Sequence, residues 1–125
     1  MDDVNNELVL VSKVYPINEI KLKIKDIMDN YGIEKAYLFG SYARGEATID
    51  SDIDIMIKIR DNDDSFGLIK LSSLENDLMK ALGKEVDVII EGTYTDEIQY
   101  DGENIKQAKE IFYSNVRKDM VEIYG

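Results

Sequence analysis

Residues 38–57, with the sequence LFGSYARGEATIDSDIDIMI, decide the fold of this chain. The apolar run Ala36–Phe39 stops at Gly40, which is typical of a buried strand that feeds a tight turn. A short helix follows the turn, and Ser41 can cap it. From Ile53 to Ile59, isoleucines alternate with polar residues, which predicts a strand with one apolar and one polar face. The stretch therefore predicts strand, turn, short helix and strand.

The flanking sequence predicts helices and a further strand. Apolar residues recur at helical spacing over residues 20–31 and 68–82, and Gly32 and Gly83 follow as C-terminal caps. Residues 85–90 predict a third strand, and residues 105–112 are spaced for a last amphipathic helix. We expect an α+β fold in which helices pack on one face of a small mixed sheet.

Length and composition predict one globular domain spanning residues 1–125. Hydrophobic residues make up 44% of the chain and charged residues 33%, which supports a packed core and a solvated surface. Residues 1–16 form an extension of uncertain structure. Its apolar run Leu8–Val11, which precedes Pro16, predicts either a short edge strand or a segment that docks onto something else.

The charge and the missing residue types exclude several kinds of function. The net charge of −11 argues against direct binding of nucleic acid, whose phosphates attract lysine and arginine. The absence of cysteine and histidine excludes thiol chemistry and the commonest general base. No apolar run is long enough to span a bilayer, and the N-terminus does not resemble a secretory signal. We therefore expect a cytoplasmic protein without a membrane contact.

Three aspartates carry the predicted chemistry. Asp52 and Asp54 are two positions apart on a strand, so they face the same way with Cβ atoms ~6.5 to 7 Å apart. Asp87 occupies the same place in the alternation of the third strand. If that strand is a neighbour, the three carboxylates can hold two Mg²⁺ ions ~3.5 to 4 Å apart, as in-line phosphoryl displacement requires. The alternative is a solvated acidic surface, but Val86 and Val88 make an unpaired Asp87 costly.

The glycine turn is a candidate phosphate site. Gly40 lets the backbone approach a phosphate closely, and the Ser41 hydroxyl can donate to a phosphate oxygen. The alternative for Ser41 is an ordinary helix cap. Arg44 can bind phosphate as well, or it can form an internal salt bridge with Glu46 or Asp50.

The pattern Gly40-Ser41-Tyr42-Ala43-Arg44-Gly45 followed by Ser51-Asp52-Ile53-Asp54 resembles the GSxARG…SDxD signature of minimal nucleotidyltransferases of the DNA polymerase β superfamily. The resemblance covers about residues 17–113 and implies a polymerase β-like nucleotidyltransferase fold. It implies that Asp52 and Asp54 bind the metals and that Gly40 and Ser41 hold the phosphates of an NTP such as ATP. It also implies that Asp87 helps to activate the acceptor.

The resemblance also implies a partner. Similar proteins are often antitoxins paired with HEPN-domain toxins, which they inactivate by adding AMP to a tyrosine, and an acidic surface suits a basic partner. Two alternatives stay open. One is transfer to a small molecule such as an aminoglycoside, for which a homodimer would complete the pocket. The other is a non-catalytic module that neutralises a toxin by binding it. Adenylylation of a toxin and binding of a toxin would each place the chain in a hetero-oligomer.

Overall fold

The computed structural model describes residues 10–60, 66–91 and 118–125 of the chain. Helices and strands alternate along most of the described sequence. In chain order the elements are α1 (Ile17–Tyr31), β1 (Ile33–Phe39), α2 (Gly40–Arg44), β2 (Ile53–Ile59), α3 (Leu68–Leu82), β3 (Val86–Ile90) and β4 (Val121–Tyr124). None of the described helices is long and apolar enough to cross a membrane.

The four described strands form one mixed sheet in the order β3-β2-β1-β4. Strand β1 is antiparallel to both of its neighbours, β2 and β4. Strand β2 is parallel to β3, and α3 forms the crossover between them. The mixed sheet confirms the predicted α+β class.

Helices α1 and α3 pack against one face of the sheet. Each helix turns a stripe of fully buried residues, spaced by four, toward the strands. Each ends at a glycine in the left-handed conformation, Gly32 with φ 67° and Gly83 with φ 64°, as the sequence predicts. The facing strand residues are the isoleucines of β2 on alternate positions. The fully buried core side chains include Ile20, Ile24, Met28, Ile53, Ile55, Ile57, Leu74, Leu78 and Leu82.

Some elements differ from the sequence-based predictions. Strand β1 begins at Ile33, three residues before the apolar run, because the half-buried Glu34 and Lys35 still pair with β2 or lie in its bulge. Strand β4 was not predicted. The expectation that Ser41 caps α2 is wrong: the helix already begins at Gly40, and no side chain caps it. The amphipathic helix predicted over residues 105–112 lies outside the described residues.

The described part of the N-terminal extension docks onto the end of α3. Residues 10–16 form neither a helix nor a strand. The Val11 amide donates to the Gly83 carbonyl at 2.9 Å, and the buried Tyr15 hydroxyl donates to the Leu82 carbonyl at 2.6 Å. Leu10 and Val11 therefore do not form the edge strand, and Val11 docks onto the end of α3, whereas Leu8 and Val9 lie outside the described residues.

Candidate active site

Asp54 lies at the centre of the candidate site. It is the second residue of β2, and the alternation of the strand turns it away from the face where Ile53 and Ile55 are buried. Its partner position on the parallel strand β3 is Asp87, and its partner on β1 is Phe39. Register partners on adjacent strands point to the same side of a sheet. Asp54 and Asp87 are therefore neighbours on one face, as expected.

Asp54 lies in a negatively charged environment. Burial, the neighbouring Asp87 carboxylate and the Asp52 carboxylate together raise the pKa of Asp54 to about 6, and Arg44 opposes them. Asp52, just before the strand, and Asp87 are both exposed, whereas Asp54 is half-buried. Two neighbouring carboxylates thus act on Asp54, and the positive charge of Arg44 compensates their repulsion only in part.

The turn at Gly40 lies directly against Asp54. Gly40 has φ 72°, in the left-handed region, and a Cβ built there would sit 2.4 Å from Asp54 Oδ2. Only glycine meets both requirements without strain. Ser41 is the second residue of α2 and is half-buried beside this turn. The structure therefore brings together the glycine turn and the carboxylates that the sequence assigned to one site.

Arg44 lies close enough to influence Asp54 and is also paired elsewhere. Its Nε donates to Glu46 Oε1 at 3.0 Å in an exposed ion pair. Of the alternatives that the sequence left open, the salt bridge to Glu46 is present. The positive charge nevertheless lowers the pKa of Asp54, so the guanidinium contributes to the field of the site.

The loop between α2 and β2 is braced internally, a feature that the sequence analysis did not identify. The Ser51 hydroxyl accepts a hydrogen bond from the Thr48 amide at 2.9 Å, and the Ser51 amide donates to the Thr48 carbonyl at 3.0 Å. The Asp50 amide donates to the Thr48 hydroxyl at 3.3 Å. The serine and threonine that fold back on the local backbone could have signalled this turn. These hydrogen bonds end at Ser51, the residue before Asp52.

The donor set fits a hard divalent cation, although the cage is not closed. In residues 10–60, 66–91 and 118–125, no three acidic side chains lie close enough together to surround one ion. Carboxylates repel each other without a cation, and the exposed side chains of Asp52 and Asp87 can rotate toward Asp54. Carboxylate oxygens are the protein ligands that Mg²⁺ prefers. The residues therefore suit Mg²⁺ in their chemistry, and a three-carboxylate site would form only if the Asp52 and Asp87 side chains turned toward Asp54.

A shallow depression elsewhere on the molecule offers no comparable chemistry. It lies along α3 and contains no titratable side chain. Its lining residues are Leu68, Ile69, Ser72, Ser73 and Asn76.

Comparison with protein families and characterised sequences agrees with this geometry. Residues 22–118 match the family described as polymerase beta, nucleotidyltransferase. A candidate protein adenylyltransferase of Methanocaldococcus jannaschii is 45% identical over 73 residues, which are 58% of this chain and 75% of the relative. The protein adenylyltransferase MntA of Thermococcus cleftensis is 36% identical over 69 residues, which are 55% of this chain and 67% of the relative.

Solved structures share the fold at low sequence identity. A toxin–antitoxin complex with AMP-PNP has a chain that aligns with a TM-score of 0.60 at 23% identity, over 84% of this chain and 73% of that one. A complex of a tri-AMPylated Shewanella oneidensis HEPN toxin with an MNT antitoxin has a chain that aligns with a TM-score of 0.58 at 20% identity. The alignment covers 88% of this chain and 73% of that one. The arrangement of helices and strands is therefore one that is already known.

Proposed function

Because this chain belongs to the polymerase beta nucleotidyltransferase family, we propose that it transfers AMP from ATP to a hydroxyl group of a partner protein, with Mg²⁺ as cofactor. One observation carries the proposal. Asp54 pairs in register with Asp87, is influenced by Asp52, and lies so close to the glycine turn that a Cβ at Gly40 would meet its carboxylate. The family establishes the enzyme class, and the nucleotide, the metal and the acceptor are what we propose.

Asp52, Asp54 and Asp87 would hold the metal ions. Bound Mg²⁺ supplies positive charge that neutralises the triphosphate and the charge that develops on the leaving pyrophosphate. Asp54 is the ligand that the fold holds most firmly, because it is half-buried within β2 and confined by Gly40. Asp52 and Asp87 complete the site from its exposed rim.

The glycine turn would receive the phosphates of ATP. Gly40 has no side chain, so a phosphate can approach the backbone next to Asp54, and the Ser41 hydroxyl can donate a hydrogen bond to a phosphate oxygen. Arg44 would add positive charge on the same side of the site. Since its Nε is already paired with Glu46, contact with phosphate would use the outer edge of the guanidinium.

Asp87 would orient the acceptor and take its proton. In the transfer, the acceptor oxygen forms a bond to the α-phosphorus, the bond between the α-phosphorus and the bridging oxygen breaks, and pyrophosphate leaves. The proton of the acceptor hydroxyl passes to a carboxylate of the site. Asp87 is exposed on β3, where an acceptor can reach it, and the chain has no histidine to serve as base.

A protein acceptor, and in particular a tyrosine of a HEPN-type toxin, is supported by the relatives and by charge. Two kinds of comparison point the same way: relatives named as protein adenylyltransferases, and fold neighbours within toxin–antitoxin complexes, one with a tri-AMPylated toxin. The net charge of −11 would attract a basic partner such as an RNA-cleaving toxin. The protein would then act as an antitoxin in a hetero-oligomer.

The acceptor can be identified with ATP labelled at the α-phosphate. The purified chain and Mg²⁺ are incubated with lysate of the source cells, and the products are separated into proteins and small molecules, with Asp54→Asn as the control. We expect label on one protein band with the wild type and none with the variant. Label on a small molecule would replace the protein acceptor, and label on neither would favour a binding module without catalysis.

A further inference from the structure

Lys84 is the residue whose position the proposed chemistry does not yet explain. It lies in the turn between α3 and β3 and is 4% exposed, which makes it the buried charged residue of the described core. Its ammonium donates to the Ile49 carbonyl at 2.9 Å and to the Val11 carbonyl at 3.4 Å. No carboxylate of the described residues forms an ion pair with it.

Stability alone does not account for a lysine at this place. Burying an ammonium costs free energy, and an apolar side chain of the same length would fill the space without that cost. Two backbone carbonyls offset part of the penalty, because charged hydrogen bonds are stronger than neutral ones. The burial of Lys84 therefore points to a role in holding the two segments whose carbonyls it binds.

The partners of Lys84 lead directly to the candidate site. Ile49 lies in the loop from α2 to β2, three residues before Asp52, and Lys84 itself precedes Asp87 by three residues. Next to Lys84, the Glu85 carbonyl accepts a hydrogen bond from the Ile53 amide at 3.0 Å. Lys84 thus connects the segments that enter β2 and β3, the strands that carry the aspartates.

We propose that Lys84 is a positioning residue that fixes the loop of residues 45–52, so that Asp52 stands beside Asp54 and Asp87 for metal binding. The internal hydrogen bonds of Ser51 and Thr48 give the loop its shape, and Lys84 anchors that shape to the start of β3. The contact with Val11 ties the N-terminal segment to the same point. The inference rests on the proposed metal-dependent transfer, but Lys84 itself touches neither nucleotide nor acceptor.

Lys84→Met tests the proposal, because methionine keeps most of the length of the side chain and removes the charge and both hydrogen bonds. Lys80→Met, at an exposed lysine in the last turn of α3, is the matched control. The first readout is amide hydrogen exchange of the nucleotide-free protein. We expect faster exchange at Ser51 and Ile53 in Lys84→Met than in the control.

The second readout is affinity for Mn²⁺ alone, measured by water proton relaxation. Residues that orient metal ligands typically change metal affinity by about 10- to 100-fold when they are replaced. We expect a loss on the order of tenfold in Lys84→Met and less than about twofold in Lys80→Met. Unchanged exchange at the loop amides, or unchanged Mn²⁺ affinity in folded Lys84→Met, would overturn the proposal.

The two proposals fail in different ways. If the wild type bound no Mn²⁺ and transferred no label, the proposed function would fail, and the exchange experiment would still decide whether Lys84 holds the loop. If the wild type were active and Lys84→Met behaved like the control, only the role of Lys84 would fail. Lys84→Gln, which keeps an N–H donor without the charge, is judged by the same criteria if Lys84→Met does not fold.

Discussion

Asp54 on β2 and Asp87 on β3 are register partners on adjacent parallel strands, so two carboxylates project side by side from the same face of the sheet. Such a pair is unfavourable when both groups are ionised. The burial of Asp54 and the presence of Asp52 add to the cost. The molecule thus keeps a repulsive arrangement at the place where its family resemblance puts the chemistry.

The first prediction is that Asp54→Asn stabilises the protein in the absence of metal. Because the pKa of Asp54 is raised to about 6, above its ordinary value, the ionised carboxylate destabilises the folded state. The gain should be absent below about pH 4, grow between about pH 4 and 6, and be complete above that range. Thermal denaturation with EDTA across this range measures it.

Mg²⁺ should reverse the order of stability. A cation that binds the folded wild type raises its melting temperature. Asp54→Asn has lost a ligand, so Mg²⁺ should raise its melting temperature less. A variant that is no more stable than the wild type at pH 8 in EDTA would contradict the repulsion described above.

The second prediction concerns Gly40→Ala, with Gly32→Ala as its control. Both glycines have a left-handed backbone conformation. A Cβ at Gly32 would meet nothing within 4 Å, whereas one at Gly40 would meet Asp54 Oδ2. Backbone strain should cost each variant about 1 to 2 kcal/mol in the free energy of unfolding. Only Gly40→Ala should lose transfer activity, because the carboxylate must move. Equal activity of the two variants would show that this contact has no role.

The third prediction separates Arg44 from its ion pair. Exposed ion pairs contribute about 0 to 1 kcal/mol, so neither Arg44→Met nor Glu46→Gln should change stability much. If Arg44 binds phosphate, Arg44→Met should raise the KM for ATP by about tenfold, the loss of one charged contact. Glu46→Gln should leave the KM within about twofold. Steady-state kinetics at varied ATP checks this, and similar effects of both variants would assign the effect to the ion pair.

The sequence predicted the parts of the fold that depend on local patterns. The glycine turn at Gly40 and the alternation of Ile53–Ile59 are properties of neighbouring residues, so the strand, turn, helix and strand were recognisable. Strand β4 has four residues, too few for alternation to stand out from the acidic tail. Its place beside β1 depends on long-range pairing.

The site was predictable to the same extent. Asp52 and Asp54 are two positions apart in the sequence, and Asp87 has the same place in the alternation of its own strand. The role of Lys84 could not be predicted, because a glycine followed by two charged residues is typical of a solvent-exposed turn. Its ammonium is enclosed by two distant backbone segments whose Ile49 and Val11 carbonyls accept its hydrogen bonds, and no local pattern encodes that contact.

The fourth prediction compares two buried tyrosines that meet in the core. The Tyr15 hydroxyl donates a hydrogen bond to the Leu82 carbonyl. The Tyr42 hydroxyl lies beside the Tyr15 backbone, and no group of the described residues forms a hydrogen bond of good geometry with it. Tyr15→Phe should lower the free energy of unfolding by about 1 kcal/mol or more, because it leaves a buried carbonyl unpaired. Tyr42→Phe should be neutral or stabilising. Denaturant unfolding measures both, and a larger loss for Tyr42→Phe would contradict the assignment.

The central claim is that Asp52, Asp54 and Asp87 act together as the metal-binding site of a nucleotidyltransferase. The most direct measurement is the rate of label transfer from ATP to the identified acceptor for Asp52→Asn, Asp54→Asn and Asp87→Asn, with Asp50→Asn as an exposed acidic control in the same loop. Metal ligands stabilise the transition state by several kcal/mol, so each of the three variants should lose on the order of 100-fold or more. Asp50→Asn should keep a rate within about twofold of the wild type. Near-normal transfer by any of the three variants would contradict the claim.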